Sequence, residues 1–185
     1  MTEDRTRSIY RPPWRVDVVQ RASIESPLPS GSVASAVAQA LDAAAAPEPG
    51  SVTVVLTHDE ELADLNHEHM GHEGPTDVLS FPMLEPDAFR RSGPDDARPK
   101  PRPKVAPAGR RPRTHIGDIA ISVERAIEQA GEGRGGQTGD VRWSSADELR
   151  LLVTHGTLHL CGWDHAEPEE EAAMRALEQR LLVSS

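Results

Sequence analysis

The sequence predicts an α+β domain: a small mixed β-sheet with a helical layer, and a central buried helix that carries the chemistry. Three observations predict it. Short β-branched runs alternate with helical patterns in the first part of the chain. Helical patterns then follow one another without strands between them. Aromatic residues make up only 3% of the 185 residues, so the core has to be built from Leu, Val, Ile and Ala.

Residues 1–13 read as a flexible arm ending in Pro12-Pro13, and residues 14–185 as a single domain. Residues 15–22 alternate around Val16 and Val18, which predicts the first strand. Residues 32–46 place Val33, Val37 and Leu41 at helical spacing behind Ser32, a fair N-cap, and Pro47 and Pro49 stop that helix. The run SVTVVLT, residues 51–57, is β-branched and predicts a strand. Thr57 or His58 then opens a helix with Leu62 and Leu65 inward. Its acids Asp59, Glu60 and Glu61 complement the positive N-terminal end, and Gly71 and Gly74 end it. Residues 78–81 form a short apolar strand closed by Pro82.

Residues 86–114 change character. Pro, Gly and charge replace apolar periodicity over a length unusual for a connection, which predicts a disordered insertion. Between Ala97 and Thr114 stand seven basic residues and no acidic ones, in a chain of net charge −10. The protein is therefore an acidic body with one basic segment. GDIAIS, residues 117–122, restores a strand; a helix continues to Ala130 and a glycine-rich loop follows. Ser145 and Glu148 fit a capping box at the head of an apolar helix with Leu149, Leu152, Val153 and Leu160, ending at Gly162. A last helix begins near Pro168 and carries Met174, Leu177, Leu181 and Leu182 as its apolar stripe.

Composition excludes several classes. Cys161 is alone, so no intrachain disulfide forms, which fits a reducing compartment. Residues 1–15 are charged and lack the apolar stretch of a secretory signal, and no apolar run approaches a membrane span. The expected location is cytoplasmic, with no membrane partner and no nucleotide cofactor.

The segment HGTLHLCGWDH sets His155, His159 and His165 in the pattern H-x3-H-x2-G-x2-H. Residues four apart project from one helix face. Gly162 can turn the chain so that a third imidazole, His165, completes the set. Three nitrogens with a fourth position left to solvent is the donor set of a catalytic zinc, so one Zn2+ per chain is expected. Three separate core or surface histidines are the competing reading, and burying them without partners would be costly. The spacing is that of metzincin peptidases, but Gly156 stands where those enzymes place their general-base Glu.

Other residues keep two readings. His67, His69 and His72 are spaced so that they diverge on a helix, which favours a solvated surface. Asp77 and Asp118 could orient a histidine or serve local turns. Asp164 could orient His165 or cap the next helix. Cys161, beside Leu160, reads as a buried thiol. The basic segment, with Arg110, Arg111 and Arg113 as candidate phosphate contacts, is either a phosphate grip or a solvated linker.

The histidine segment resembles the signature of the YbeY family of bacterial endoribonucleases. Leu65-Asn66, PTDVLSFP at residues 75–82, GDIAIS, and Met174 with Leu177-Glu178 follow the family's pattern in order. The resemblance implies a zinc-dependent, single-strand-specific endoribonuclease acting in 16S rRNA 3′-end maturation and small-subunit quality control. Its partners would be rRNA and the small ribosomal subunit, and its metal ligands His155, His159 and His165. A zinc peptidase and a non-catalytic ribosome-assembly factor are the alternatives. The chain departs from the family at Trp163, where Tyr is usual, at Met70, where Arg is usual, and in the length and charge of residues 86–114.

Overall fold

The computed structural model describes residues 3–89, 112–132, 143–164 and 167–183. Five strands form one sheet in the order β1-β2-β3-β5-β4. The strands are β1 (Arg5–Arg11), β2 (Trp14–Gln20), β3 (Gly50–Thr57), β4 (Val78–Pro82) and β5 (Thr114–Ser122). Strands β2, β3 and β5 run parallel, and antiparallel β1 and β4 close the two edges. The helices are α1 (Ser30–Ala43), α2 (Asp59–Met70), α3 (Val123–Gly131), α4 (Ser145–Leu160) and α5 (Pro168–Val183). The sheet is mixed and small, and the helices form a layer, as the sequence predicts.

Alternation along the parallel strands decides which face carries the core. Val16, Val18, Val52, Val54, Leu56, Ile119 and Ile121 point to one side, where α1, α4 and α5 bring Val33, Val37, Leu41, Leu149, Leu158 and Met174 against them. On the other side α2 alone covers a small patch of Leu62, Leu79 and Ala120. A bulge lies at Ile116, which sits between the pairs Ser51–His115 and Val52–Gly117. Trp14 is fully buried and its indole Nε1 donates to Asp42 Oδ1 at 2.9 Å, tying β2 to the last turn of α1. No helix among the described residues is long and apolar enough to cross a membrane.

Three boundaries differ from expectation. Part of the expected flexible arm, residues 1–13, is strand β1, paired with β2 from Arg5–Gln20 to Arg11–Trp14. Its side chains are almost all exposed, and only Ile9 packs on the core, so it carries no apolar alternation to read. Helix α1 starts at Ser30 rather than behind Ser32, because the carbonyl of Pro29 accepts from the N–H groups of both Ser32 and Val33. The capping box of α4 is Ser144 with Asp147, not Ser145 with Glu148. The run Ser-Ser-x-Asp-Glu supports either frame, and burial chooses between them: Glu148 is 3% exposed and accepts from Trp143 Nε1. Of the expected insertion, residues 90–111 lie outside the described residues. Its first part forms a 3-10 turn, Pro86–Ala88, and ends at buried Phe89.

Helix α4 lies close against the β4–β5 edge. A Cβ added at Gly156 would stand 2.8 Å from Ile119 Cγ2 and 3.0 Å from Val78 Cγ2, which is closer than packed side chains allow. Ser80 Oγ donates to the Gly156 carbonyl at 3.0 Å across the same contact. At the far end Gly162 has φ +77°, a left-handed conformation that turns the chain out of the helix.

Two expectations follow. Gly156→Ala should destabilise the protein by about 1–3 kcal/mol, lowering Tm by roughly 3–10 °C. Calorimetry checks this, and an unchanged Tm would mean that helix and sheet are not in contact there. Asp147 is held below its usual carboxyl range chiefly by the Ser144 hydroxyl, against an opposing push from burial. A depressed folded pKa gives stability that is present above the unfolded value, about 3.9, and lost as pH falls through the folded one. Asp147→Asn should therefore lower Tm near neutral pH and matter progressively less below about pH 4. A Tm difference that stays constant from pH 7 to pH 2 would refute a titrating cap.

Candidate functional site

Helix α4 presents His155 and His159 from one face, one turn apart. Their rings meet edge to face, 4.5 Å between centroids, and the two Nε2 atoms are 3.0 Å apart. The other nitrogen of His155 is engaged from behind: Nδ1 lies 2.7 Å from Glu178 Oε1 on α5. A carboxylate only accepts, so Nδ1–H donates, and Nε2 is left as the lone-pair nitrogen of that ring. This is the arrangement in which an outer carboxylate fixes the tautomer of a metal-ligating histidine.

The donor chemistry fits zinc. Two imidazoles bound tetrahedrally at about 2.0–2.1 Å hold their nitrogens roughly 3.3 Å apart, close to the separation seen here. His165, the third expected ligand, lies outside the described residues. Among the described residues no group of three or more His, Cys, Asp or Glu side chains gathers into a metal cage. The structure therefore brings together two of the three predicted histidines.

Glu178 is the member of this cluster to which sequence reasoning gave no role. It is 8% exposed, four residues after Met174 and three before Leu181, in the apolar stripe of α5. An acid in that stripe is the signal that could have found it, since a buried carboxylate needs a partner. Its partner, His155, is 23 residues away in sequence.

The remaining candidates separate clearly. Cys161 is 2% exposed, and burial pushes its thiol up to about 12, so it is an inert core group. Asp77 serves its own turn: Oδ1 accepts from the Val78 N–H at 2.9 Å, and Oδ2 accepts from Gln129 Nε2 of α3 at 3.1 Å. Asp118 pairs with His115 at 2.9 Å, and Ser51 Oγ is 3.3 Å from the other ring nitrogen of that histidine. It lies a residue before Ala120 in alternation, on the α2 side of the sheet, away from α4. His67, His69 and His72 are exposed, and His69 packs edge-on against Phe81. Met70 is 46% exposed at the end of α2. Arg110 and Arg111 lie outside the described residues. Arg113 stands with its guanidinium 5.4 Å from the ring centre of Tyr10, on β1.

Gly156 settles what stands between the histidines. The position that holds a general-base Glu in H-E-x-x-H is pressed against Ile119 and Val78, with no space for a side chain.

Comparison with known proteins gives a consistent result. A protein from Salinispora tropica named endoribonuclease YbeY is 40% identical over 153 residues, 83% of this chain and 85% of its own length. One of the same name from Saccharopolyspora erythraea is 35% identical over 168 residues, covering 91% and 79% of the two chains. A third, from Mycolicibacterium smegmatis, is 40% identical over 151 residues, covering 82% and 71%. A Thermotoga maritima protein solved in solution shares the fold, with a TM-score of 0.50 at 22% identity over 91% of this chain and 86% of that one. The family model described as endoribonuclease YbeY matches residues 20–185, which run from the end of β2 through every helix and both ring-to-ring histidines, and the chain belongs to that family.

Proposed function

We propose that this protein is a metal-dependent endoribonuclease that cuts phosphodiester bonds within RNA during rRNA processing. The family's name and the relatives' shared name support the activity. The finer reading is one Zn2+ per chain on His155, His159 and His165, single-stranded substrate at the 16S rRNA 3′ end, and action on the small ribosomal subunit in the cytoplasm. The observation that carries the metal part is the meeting of the His155 and His159 Nε2 atoms at 3.0 Å with Glu178 behind His155.

Zinc held there supplies Lewis acidity toward a phosphodiester. The protein's own residues do the rest by position. His155 and His159 stand on a helix whose depth is fixed against the sheet, so their imidazoles are held by the scaffold rather than by a loop. Glu178 accepts a hydrogen bond from the Nδ1–H of His155, holding the proton on Nδ1 and so keeping Nε2 as the ligating nitrogen. The absence of a side chain at 156 removes the peptidase general base and speaks against the zinc-peptidase reading. A non-catalytic assembly factor would keep the same metal for stability, and cleavage assays separate the two.

Purified protein should contain one zinc by elemental analysis and cut a single-stranded rRNA precursor in a chelator-sensitive way. The His155→Ala, His159→Ala double variant should lose both the metal and the cutting. Metal retained in that variant would remove the proposed ligands, and metal-replete protein inert on every RNA tested would leave the assembly-factor reading. Glu178→Gln should weaken zinc affinity by about 10- to 100-fold, read by competition with a chelating dye rather than by activity. An affinity equal to that of the parent would reduce Glu178 to a packing residue.

A further inference from the structure

The family model begins at residue 20, so strand β1 lies outside the matched residues. Two shallow hollows lie along the groove between β1 and α1, one toward each end of β1. The first, about 190 Å3, is lined by Arg5, Arg7, Gln20, Leu28, Pro29 and Ser30. The second, about 310 Å3, is lined by Arg11, Pro12, Trp14, Ser35, Ala38 and Asp42. Arg5, Arg7 and Arg11 are alternate residues of an extended strand, on the same side as Ile9, which packs on the core. The opposite wall is the first half of α1, made of small neutral residues with no acid in its first turn.

Three arginines line this groove, against one acid, Asp42, among its described lining residues. Arg5 and Arg7 make no hydrogen bond or ion pair with any described residue. Among the described residues Arg11 reaches neutral acceptors, Ser35 Oγ at 3.2 Å and the carbonyls of Tyr10 and Gly31 at 3.4 Å. Of the acids nearby, Asp4 is paired with Arg21, while Asp42 lines the second hollow, accepts from the neutral Trp14 indole and keeps its negative charge. Round the strand's other side, Tyr10 is 54% exposed with the Arg113 guanidinium beside its ring. Such a row of guanidiniums on a protein of net charge −10 is a local reversal of the molecule's field.

We propose that the groove between β1 and α1 holds the phosphate backbone of a single RNA strand on Arg5, Arg7 and Arg11. Guanidiniums two residues apart on a strand repeat about every 6.8 Å, a step comparable to that between successive phosphates of an extended chain. A positive groove that tracks the backbone is one of the ways single strands are held without sequence preference. An acidic peptide fits less well, because buried Leu28 and Ala38 leave nothing apolar to anchor it. A second copy pairing along the free edge of β1 would set these arginines against each other. Helix α1 stands between this groove and α4. The groove therefore supplies affinity and direction of approach, away from the histidines. The inference rests on RNA being the substrate.

The test uses the full chain and a labelled 2′-O-methyl uridylate 12-mer, which is not a cleavage substrate, titrated across a salt series. Arg5→Gln/Arg7→Gln should weaken binding roughly tenfold near 0.1 M salt and make the slope of log K against log salt shallower by about 1.4, two phosphate contacts' worth. Arg5→Lys/Arg7→Lys should stay within about threefold of the parent, since charge carries the effect. Both positions are exposed and unpaired among the described residues, and melting curves matching the parent confirm that the folded chain is being compared. Unchanged affinity and slope in the Gln variant overturn the proposal. So does polyglutamate displaced by the Arg-to-Gln change while the RNA probe is unaffected, or a dimer that dissociates on the same change. Failure of the parent protein to cut unmodified RNA would instead overturn the endoribonuclease reading and leave the binding result standing.

Discussion

The contact between Gly156 and the β4–β5 edge is the constraint on which the rest of the site depends. A residue without a side chain lets α4 settle onto Ile119 and Val78. The helix advances about 100° per residue, so His155 and His159 then fall on its shoulder rather than against the sheet. From that shoulder they reach α5, where Glu178 waits for His155. A larger residue at 156 would lift the helix and carry His155 away from Glu178. The same glycine that spares the core a clash also fixes which chemistry the helix can host.

Two kinds of glue act at different ranges. Burial holds the layers together: the parallel strands present Val and Ile to α1, α4 and α5 with hardly any aromatic surface, so many small contacts replace a few large ones. Polar pairs then fix orientation within that frame. Trp14 Nε1 with Asp42 sets α1 against β2, Ser80 with the Gly156 carbonyl sets α4 against β4, and Gln129 with Asp77 ties α3 to the turn before β4. Each uses a buried or half-buried group whose donor would be costly to leave unmet.

Much of this was legible in the sequence because burial leaves periodicity behind. Val52, Val54 and Leu56 alternate and form the central strand; Leu149, Leu152 and Val153 recur at helical spacing and form the core of α4. Strand β1 was hidden for the converse reason. Both of its faces are largely exposed, so RTRSIYR has no apolar rhythm, and it is held by ladder hydrogen bonds and by Ile9. The register of the α4 cap was ambiguous because two serines stand side by side ahead of two acids, and only the burial of Glu148 separates them. In the candidate site, the i,i+4 histidines were legible from helix geometry alone. Glu178 was not, since its meaning comes from a helix that folds back across α4.

Both ends of the segment between β4 and β5 are anchored to the body. On one side Phe89 is buried and Pro86 lies against Gly162, where an added Cβ would be 3.2 Å from it. On the other the Thr114 N–H donates to the Pro49 carbonyl at 3.0 Å. Joining two anchored ends carries a closure entropy that grows with the logarithm of the length between them, so even doubling the number of residues between Phe89 and Thr114 changes that term by only about 0.6 kcal/mol. Closure itself therefore sets almost no limit on the length of chain inserted at this point.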